Sequence, residues 1–559
     1  MPTIPSILSG SLPPPGGPYS VGYYTVTHAP LGKQGFVLSS PTIDTRKPAN
    51  KAVYGSHTAP PFQRGDGEEE GAGSRGWNGW EEGHVPALGL RRVEYSVYYP
   101  CETPKGWFGR DAAPGGVGWL PSPVSDVLLG YSRFMNDSSW LRAAFPVLKV
   151  LGGRLTIPVY PLAKPLETVQ PPATTPTGAS GTSMPPPLVI FSHGLAGTHL
   201  TYSHVCSALA SRGYVVLSIS HQDGSGPVAS IPQSTGGSGG LWAQQGGVVR
   251  ARKEDGAFAG KDGKGKGVGE VLRTAGTGQK GDDAVGGGGD FKLSYLRYNE
   301  LDWSPDPQPD VMTLRSLQLD IRVHELYATY RSFHTLVTQG ASALSSAGLT
   351  ISAGSNTLAS NEATEWLDTN LGAGKVNTTS VDLVGHSFGG GTLLWALERD
   401  VPEGEQKLPV RKAVALDPWV DPLPMPAPMK GEKDKPEVPI FVINSSRFTL
   451  WSTHFNRLKR LINQSHGTLV TLLGAGHETF SDFPFLWQPR SAHTLLTTVD
   501  ELVYAFLRGE VKEHDKVRGK EADRGVVRTS TVDKKGKDMG KQQMEGEWGD
   551  VVVHELGRE

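Results

Sequence analysis

The heptapeptide Val384-Gly385-His386-Ser387-Phe388-Gly389-Gly390 constrains this chain more than any other stretch. A short apolar run, Ser380-Val381-Asp382-Leu383-Val384, leads into it, and Gly391-Thr392-Leu393-Leu394-Trp395-Ala396-Leu397-Glu398 follows with a helical pattern. Strand, tight turn and helix form the context in which a G-x-S-x-G serine is pushed out of a sheet with its hydroxyl exposed. Small residues at 385, 389 and 390 let the turn close and let the helix approach the strand. The helix start adds free N–H groups and a positive dipole end, which suit a developing oxyanion. A glycine-rich turn that merely contains a serine would need neither the strand nor the helix. Ser387 is therefore the expected nucleophile.

Composition narrows the class. The 559 residues carry 54 Lys and Arg against 56 Asp and Glu, so the strongly basic footprint of a nucleic-acid binder is missing. The two cysteines, Cys101 and Cys206, are too few for a disulfide framework and fit a reducing compartment. Residues 1–20 are rich in Pro and Gly, and the first basic residue is Lys33, unlike a secretory signal. No run approaches the roughly 18 apolar residues of a membrane span. The expectation is a cytoplasmic protein, peripheral on membranes at most.

Gly and Pro clusters mark the organisation. Residues 1–86 read as an N-terminal extension with an acidic, Gly-rich loop from 62 to 86. Residues 87–223 read as the first part of the folded domain and 291–508 as the second. Between them, 224–290 reads as a flexible Gly-rich insertion, and 509–559 as a disordered charged tail. Strands are expected at Leu90–Pro100, Pro187–Ser192 and Tyr214–Ile219. A helix over Tyr202–Arg212 joins the last two, a βαβ unit that implies a parallel sheet. Leu317, Ile321, Leu326, Tyr330 and Phe333 predict a helix over Leu314–Val337. Residues 340–362 read as loop. Strands at Lys412–Leu416, Val438–Ile443 and Thr468–Leu473, the last taken as the final strand, precede a closing helix at Ala492–Leu507.

A serine hydroxyl needs a base, and the base an orienting acid. In an α/β-hydrolase they follow in the order Ser, acid, His. Of His454, His466, His477 and His493, only His477 lies in the loop straight after the final expected strand. Asp417 ends the strand Lys412–Leu416, whereas Asp421 and Asp434 sit in Pro-rich loop. The next strand ends in Ile443-Asn444-Ser445-Ser446 and offers no acid, which pushes the role back to Asp417. The oxyanion donors are expected to be the N–H of Phe388, directly after the nucleophile, and that of Leu195 in the loop Ser192-His193-Gly194-Leu195. His193 is expected to fix that loop by hydrogen bonding. No CxxC, HExxH, Walker A or dinucleotide pattern occurs, so no metal or cofactor is implied.

Several segments together carry a family likeness. They are Phe191-Ser192-His193-Gly194-Leu195 with Tyr202-Ser203, the elbow, Ala415-Leu416-Asp417-Pro418-Trp419, and Gly476-His477-Glu478-Thr479-Phe480-Ser481-Asp482-Phe483. Over residues 17–508, interrupted by the insertion, the chain resembles the platelet-activating factor acetylhydrolases of the plasma and type II group, as a fungal-like intracellular member. The resemblance implies an α/β-hydrolase fold and a calcium-independent serine esterase. Such an enzyme removes short or oxidised sn-2 acyl groups from glycerophosphocholines, so its partner is a phospholipid. It carries the triad onto Ser387, Asp417 and His477, and the oxyanion donors onto Leu195 and Phe388. A general carboxylesterase on small soluble esters, and a non-catalytic hydrolase-fold scaffold, are the alternatives.

One segment bears on lipid contact. Over 140–151, Trp140, Ala144, Leu148 and Leu151 share one helical face, and Arg142 and Lys149 the other. This suits a membrane-surface helix or an ordinary core-facing one, and Pro146 argues against a single straight helix.

Overall fold

The computed structural model describes residues 5–29, 36–37, 41–44, 84–106, 110–169, 184–231, 291–303, 310–372, 374–424, 438–463, 467–517, 528–532, 538–544 and 546–556. A twelve-stranded mixed sheet organises them. Its strands are β1 (Ser20–His28), β2 (Val93–Cys101), β3 (Pro187–Ser192), β4 (Val215–Ile219), β5 (Leu349–Ala353) and β6 (Asn356–Thr357). Then come β7 (Asn377–His386), β8 (Val410–Leu416), β9 (Ile440–Ser445), β10 (Gly467–Leu472) and β11 (Val551–His554). The spatial order is β6-β5-β1-β2-β4-β3-β7-β8-β9-β10-β11, with Tyr160–Pro161 pairing beside β1. The middle of the sheet, β4-β3-β7-β8-β9-β10, is parallel throughout. Apart from Tyr160–Pro161, which runs parallel to β1, the strands at either flank are antiparallel to their neighbours.

The principal helices are α1 (Val124–Phe134), α2 (Ser139–Arg154), α3 (Ser203–Ala210), α4 (Val311–Gln339), α5 (Phe388–Glu398), α6 (Ser452–Asn463) and α7 (Pro489–Arg508). Side chains on a strand alternate between the two faces of its sheet. On β3, Val189 and Phe191 join the core made with α3 and α7, while Leu188 and Ile190 join the core made with α4, α5 and α6. Helices on both faces explain why the parallel strands read as unbroken apolar runs. The fold is the α/β-hydrolase type expected from the sequence, with a long antiparallel extension beyond the parallel core.

Several expectations need correction. The tail is not wholly without structure: Val551–His554 pairs antiparallel with β10, and Leu473 N–H donates to Asp550 O. An uncovered β10 would present unpaired backbone groups, and the apolar Val551-Val552-Val553 is a suitable strand to satisfy them. Thr468–Leu473 is consequently not the last strand. The supposed loop 340–362 contains β5 and β6, because β1 offers β5 a free edge. Finally, α2 runs as one helix through Pro146. That residue is solvent-exposed, so the carbonyl it leaves without a partner can turn to water.

The insertion is narrower than 224–290, since its stems Val228–Ile231 and Phe291–Ser294 pair as antiparallel strands. Residues 232–290, and 62–83 of the acidic loop, lie outside the described residues. No helix among the described residues is long and apolar enough to cross a membrane.

Candidate active site

The elbow forms where β7 passes into α5. Ser387 stands between them at φ 55°, ψ −118°, a conformation that costs a non-glycine residue about 1–3 kcal/mol. Its surroundings hold it there. Ser387 N–H donates to Leu416 O at 2.9 Å, and Ser387 O accepts from Gly391 N at 3.0 Å and Trp419 N at 2.9 Å. The approach of the flanking segments demands glycine. A Cβ on Gly389 would stand 2.0 Å from Ser192 O, and one on Gly194 would stand 2.9 Å from Ser387 Cβ. The loop after β3 is thus pressed against the nucleophile turn.

His477 opens a short 3₁₀ turn after β10. Its Nε2 lies 2.8 Å from Ser387 Oγ and its Nδ1 2.7 Å from Asp417 Oδ2. Asp417 is the first residue beyond β8 and is fully buried, at φ 44°. A carboxylate accepts only, so the Nδ1 facing it carries the imidazole proton and Nε2 is left to accept from the serine hydroxyl. Ser445, at the tip of β9, gives Asp417 its N–H at 2.7 Å and its hydroxyl at 2.8 Å. The Phe448 ring stacks on His477 with centroids 4.3 Å apart and planes 4° from parallel. The structure therefore brings Ser387, His477 and Asp417 into one hydrogen-bonded row.

The two expected oxyanion donors stand beside it. Phe388 opens α5, where the first N–H groups have no intrahelical acceptor. Leu195 N–H donates to no acceptor among the described residues. His193 Nδ1 hydrogen-bonds Gly194 O at 2.8 Å. It thereby grips the carbonyl of the same peptide whose N–H belongs to Leu195.

The remaining candidates lie elsewhere. His454 Nε2 accepts from Val420 N–H at 3.2 Å, and burial lowers its pKa. His493 sits on α7, and Asp421 takes the indole N–H of Trp419 at 3.0 Å. His466 and Asp434 lie outside the described residues.

His386, Asp417 and His477 have possible ligand atoms within 4.8 Å of one another. These side chains already bond Tyr202, Ser445 and Ser387, so their polar atoms are engaged with one another and with protein neighbours. His386 Nδ1 meets Tyr202 OH at 2.8 Å. Burial, and then the neighbouring His477, push His386 well below the usual histidine range, so it stays neutral. The Tyr202 hydroxyl in turn accepts from Gly194 N–H at 3.3 Å.

Sequence reasoning missed Tyr202, His386, Ser445 and Phe448 as parts of the site. Tyr202 and His386 lay in segments that carry the family likeness, and Ser445 at the tip of a strand adjoining the acid, whereas Phe448 carried no signal.

The geometry can be set beside known proteins. The family profile described as "Platelet-activating factor acetylhydrolase, isoform II" matches residues 92–236 and 349–500, more than half of the chain. A platelet-activating factor acetylhydrolase from Gallus gallus is 23% identical over 301 residues, covering 54% of this chain and 53% of its own. One from Bos taurus is 30% identical over 112 residues, 20% of this chain and 22% of its own. A Schizosaccharomyces pombe protein provisionally named a phospholipase A2 is 30% identical over 145 residues, 25% and 27% of the two chains. The chain thus spans about half the length of the first of these relatives, and less of the others. Among solved structures, a ferulic acid esterase from Streptomyces cinnamoneus aligns over 91% of this chain and 94% of its own at 14% identity. Its TM-score of 0.41 is too low to bear on the fold. On the extent of the profile match, this chain belongs to the platelet-activating factor acetylhydrolase, isoform II, family.

Proposed function

We propose that the chain is a serine esterase that removes a short or oxidised sn-2 acyl group from a glycerophosphocholine, the sn-2 acetyl ester first of all. The hydrogen-bonded row Ser387–His477–Asp417 on a strained elbow carries this reading. Family membership supports the choice of lipid.

In this reading Ser387 Oγ attacks the ester carbonyl and passes its proton to His477 Nε2. Asp417, held by Ser445, stabilises the imidazolium. The N–H groups of Leu195 and Phe388 receive the oxyanion, and losing one such donor costs about 3–4 kcal/mol of barrier. His477 then protonates the departing glycerol oxygen, leaving Ser387 acylated. A water, deprotonated by His477, releases the acid and restores the serine. Each proton and charge is handled by these groups, so activity is expected without calcium and should survive a chelator.

Helix α2 supplies the lipid contact in this reading. Trp140, Val147 and Val150 are 58%, 59% and 53% exposed on one side of it, with Arg142 and Lys149 also exposed. The exposed apolar stripe is therefore 140–143–147–150, while Ala144, Leu148 and Leu151 are half-buried. An apolar stripe flanked by basic residues suits an interface. We place the protein in the cytoplasm, peripheral to membranes, since Cys101 and Cys206 are unpaired thiols. Cell fractionation tests that placement.

The decisive experiment compares wild type and Ser387→Ala on phosphatidylcholines bearing sn-2 acetyl, oxidised and long acyl chains. Wild type should prefer the first two, and the variant should lose several orders of magnitude. Retained activity in the variant would sink the reading. Equal rates on all lipids and on small soluble esters would make the chain a general carboxylesterase.

A further inference from the structure

We propose that Arg322, in the middle of α4, is a positioning residue for the oxyanion hole, tying the loop that carries Leu195 to the ring of Phe388. This rests on Leu195 and Phe388 being the donors. Arg322 is fully buried. Its Nη1 donates to His193 O at 2.6 Å, its Nη2 to Ser225 Oγ at 2.6 Å, and its Nε to Asp223 Oδ2 at 2.8 Å. Ser225 O in turn accepts from Ala196 N–H at 2.8 Å. Leu195 is therefore bracketed, with His193 held directly by the guanidinium and Ala196 held through Ser225. The opposite side of the hole is reached as well, because Arg322 Cζ lies 4.6 Å from the centre of the Phe388 ring. One planar cation thus touches both elements that must present their N–H groups to the same oxygen atom.

The same face of α4 braces the rest of the loop. Gln318 and Glu325 lie four residues before and three after Arg322, so all three share that face. Gln318 Nε2 donates to Asp223 O at 2.9 Å, and Glu325 Oε1 accepts from Gln222 N–H at 2.6 Å. Glu325 Oε2 lies 2.5 Å from His221 Nδ1, and His221 Nε2 lies 2.8 Å from Ser192 Oγ. This acid–His–Ser row repeats the connectivity of the candidate catalytic one, yet all three of its members are buried and no substrate can reach them. Burial, then the Asp223 charge, push Glu325 well up. Burial, then Arg322, push His221 well down. Both shifts favour the uncharged forms, and Arg322–Asp223 is a buried ion pair beside them. A buried ion pair is a weak source of stability; its clear yield here is a fixed loop. Fixed donors need no reorganisation as the oxyanion forms.

The test uses the full chain with Arg322→Lys, which keeps a cation for Asp223 but lacks the fork and the flat face. Each protein's folded fraction is taken from circular dichroism. We would measure kcat and KM on p-nitrophenyl acetate, and Ki for a trifluoromethyl ketone, whose hemiketal oxyanion occupies the hole. The expected result is a kcat lowered about 10- to 100-fold with KM unchanged and Ki raised by the same factor, the signature of lost transition-state binding. Unchanged kcat and Ki per folded molecule would overturn the proposal. If Arg322→Lys does not fold, Ser225→Ala removes one of the three acceptors. It must shift kcat and Ki in the same directions by a smaller factor, and no shift overturns the proposal. An active Ser387→Ala would instead overturn the esterase reading itself.

Discussion

Ser445 donates twice to Asp417, from its N–H at 2.7 Å and its hydroxyl at 2.8 Å. The strand that lacks an acid therefore supplies the grip on the acid of its neighbour. In Ser445→Ala the backbone bond survives and the hydroxyl bond is lost. We expect kcat/KM to fall about 3- to 10-fold and stability by about 1 kcal/mol. Asp417→Asn presents the wrong tautomer to Ser387 and should cost about 10⁴-fold in kcat in a folded protein. Steady-state rates on an sn-2 acetyl ester check both. Near-wild-type turnover in Asp417→Asn would show that the orienting acid lies elsewhere.

The nucleophile turn stores strain. With Ser387 at φ 55°, Ser387→Gly should relieve part of a cost of about 1–3 kcal/mol, while turnover disappears with the hydroxyl. The expected outcome is an inactive protein with a raised Tm. A lowered Tm would mean that the hydrogen bond to His477 outweighs the strain.

The parallel core and the candidate row were legible in the sequence. The elbow motif places Ser387, and strand ends at one edge of a parallel sheet converge, so Asp417 and His477 could be sought at the ends of the strands that follow it. Leu195 was expected as a donor on the same ground, from its place after β3. What stayed hidden was held by contacts between distant segments. Arg322 and Glu325 interrupt the apolar pattern of α4 and resemble a solvated face, yet both are buried, because their partners at 193 and 221–225 lie a hundred residues earlier. β11 was hidden by the charged sequence before it, since pairing with β10 is decided by the edge it covers. The role of Phe448 depends on a ring stack that no spacing encodes.

Acid should destabilise the fold through two buried histidines. Burial, then Arg331, lowers the His28 pKa to about 4. Burial, then Arg92, lowers that of His199 to about 4. An unfolded histidine titrates near 6.5. Between these values the unfolded chain binds more protons than the folded one, so stability rises with pH. The contribution is complete above about pH 6.5 and is lost as the pH falls through about 4, about 2 to 4 kcal/mol for each group. Urea midpoints from pH 7 to pH 4 should fall accordingly, and more gently in His199→Gln. Parallel profiles for the two proteins would remove His199 from the account.

Helix α2 offers a means of separating lipid docking from chemistry. Trp140, Val147 and Val150 are exposed and sit on a helix whose one fully buried residue is Leu141. Replacing exposed apolar groups with acid loses apolar burial at an interface and adds repulsion from anionic headgroups, without touching the core. The double variant Trp140→Glu, Val147→Glu should keep its Tm and its kcat/KM on p-nitrophenyl acetate. Its binding to phosphatidylcholine–phosphatidylserine vesicles should weaken at least about 10-fold, because two lost apolar contacts of over 1 kcal/mol each exceed the 1.4 kcal/mol that tenfold requires. Turnover of vesicle-borne ester should fall in proportion. Cosedimentation measures the binding. Unaltered binding would make α2 an ordinary exposed helix and shift the search for the docking surface elsewhere on the molecule.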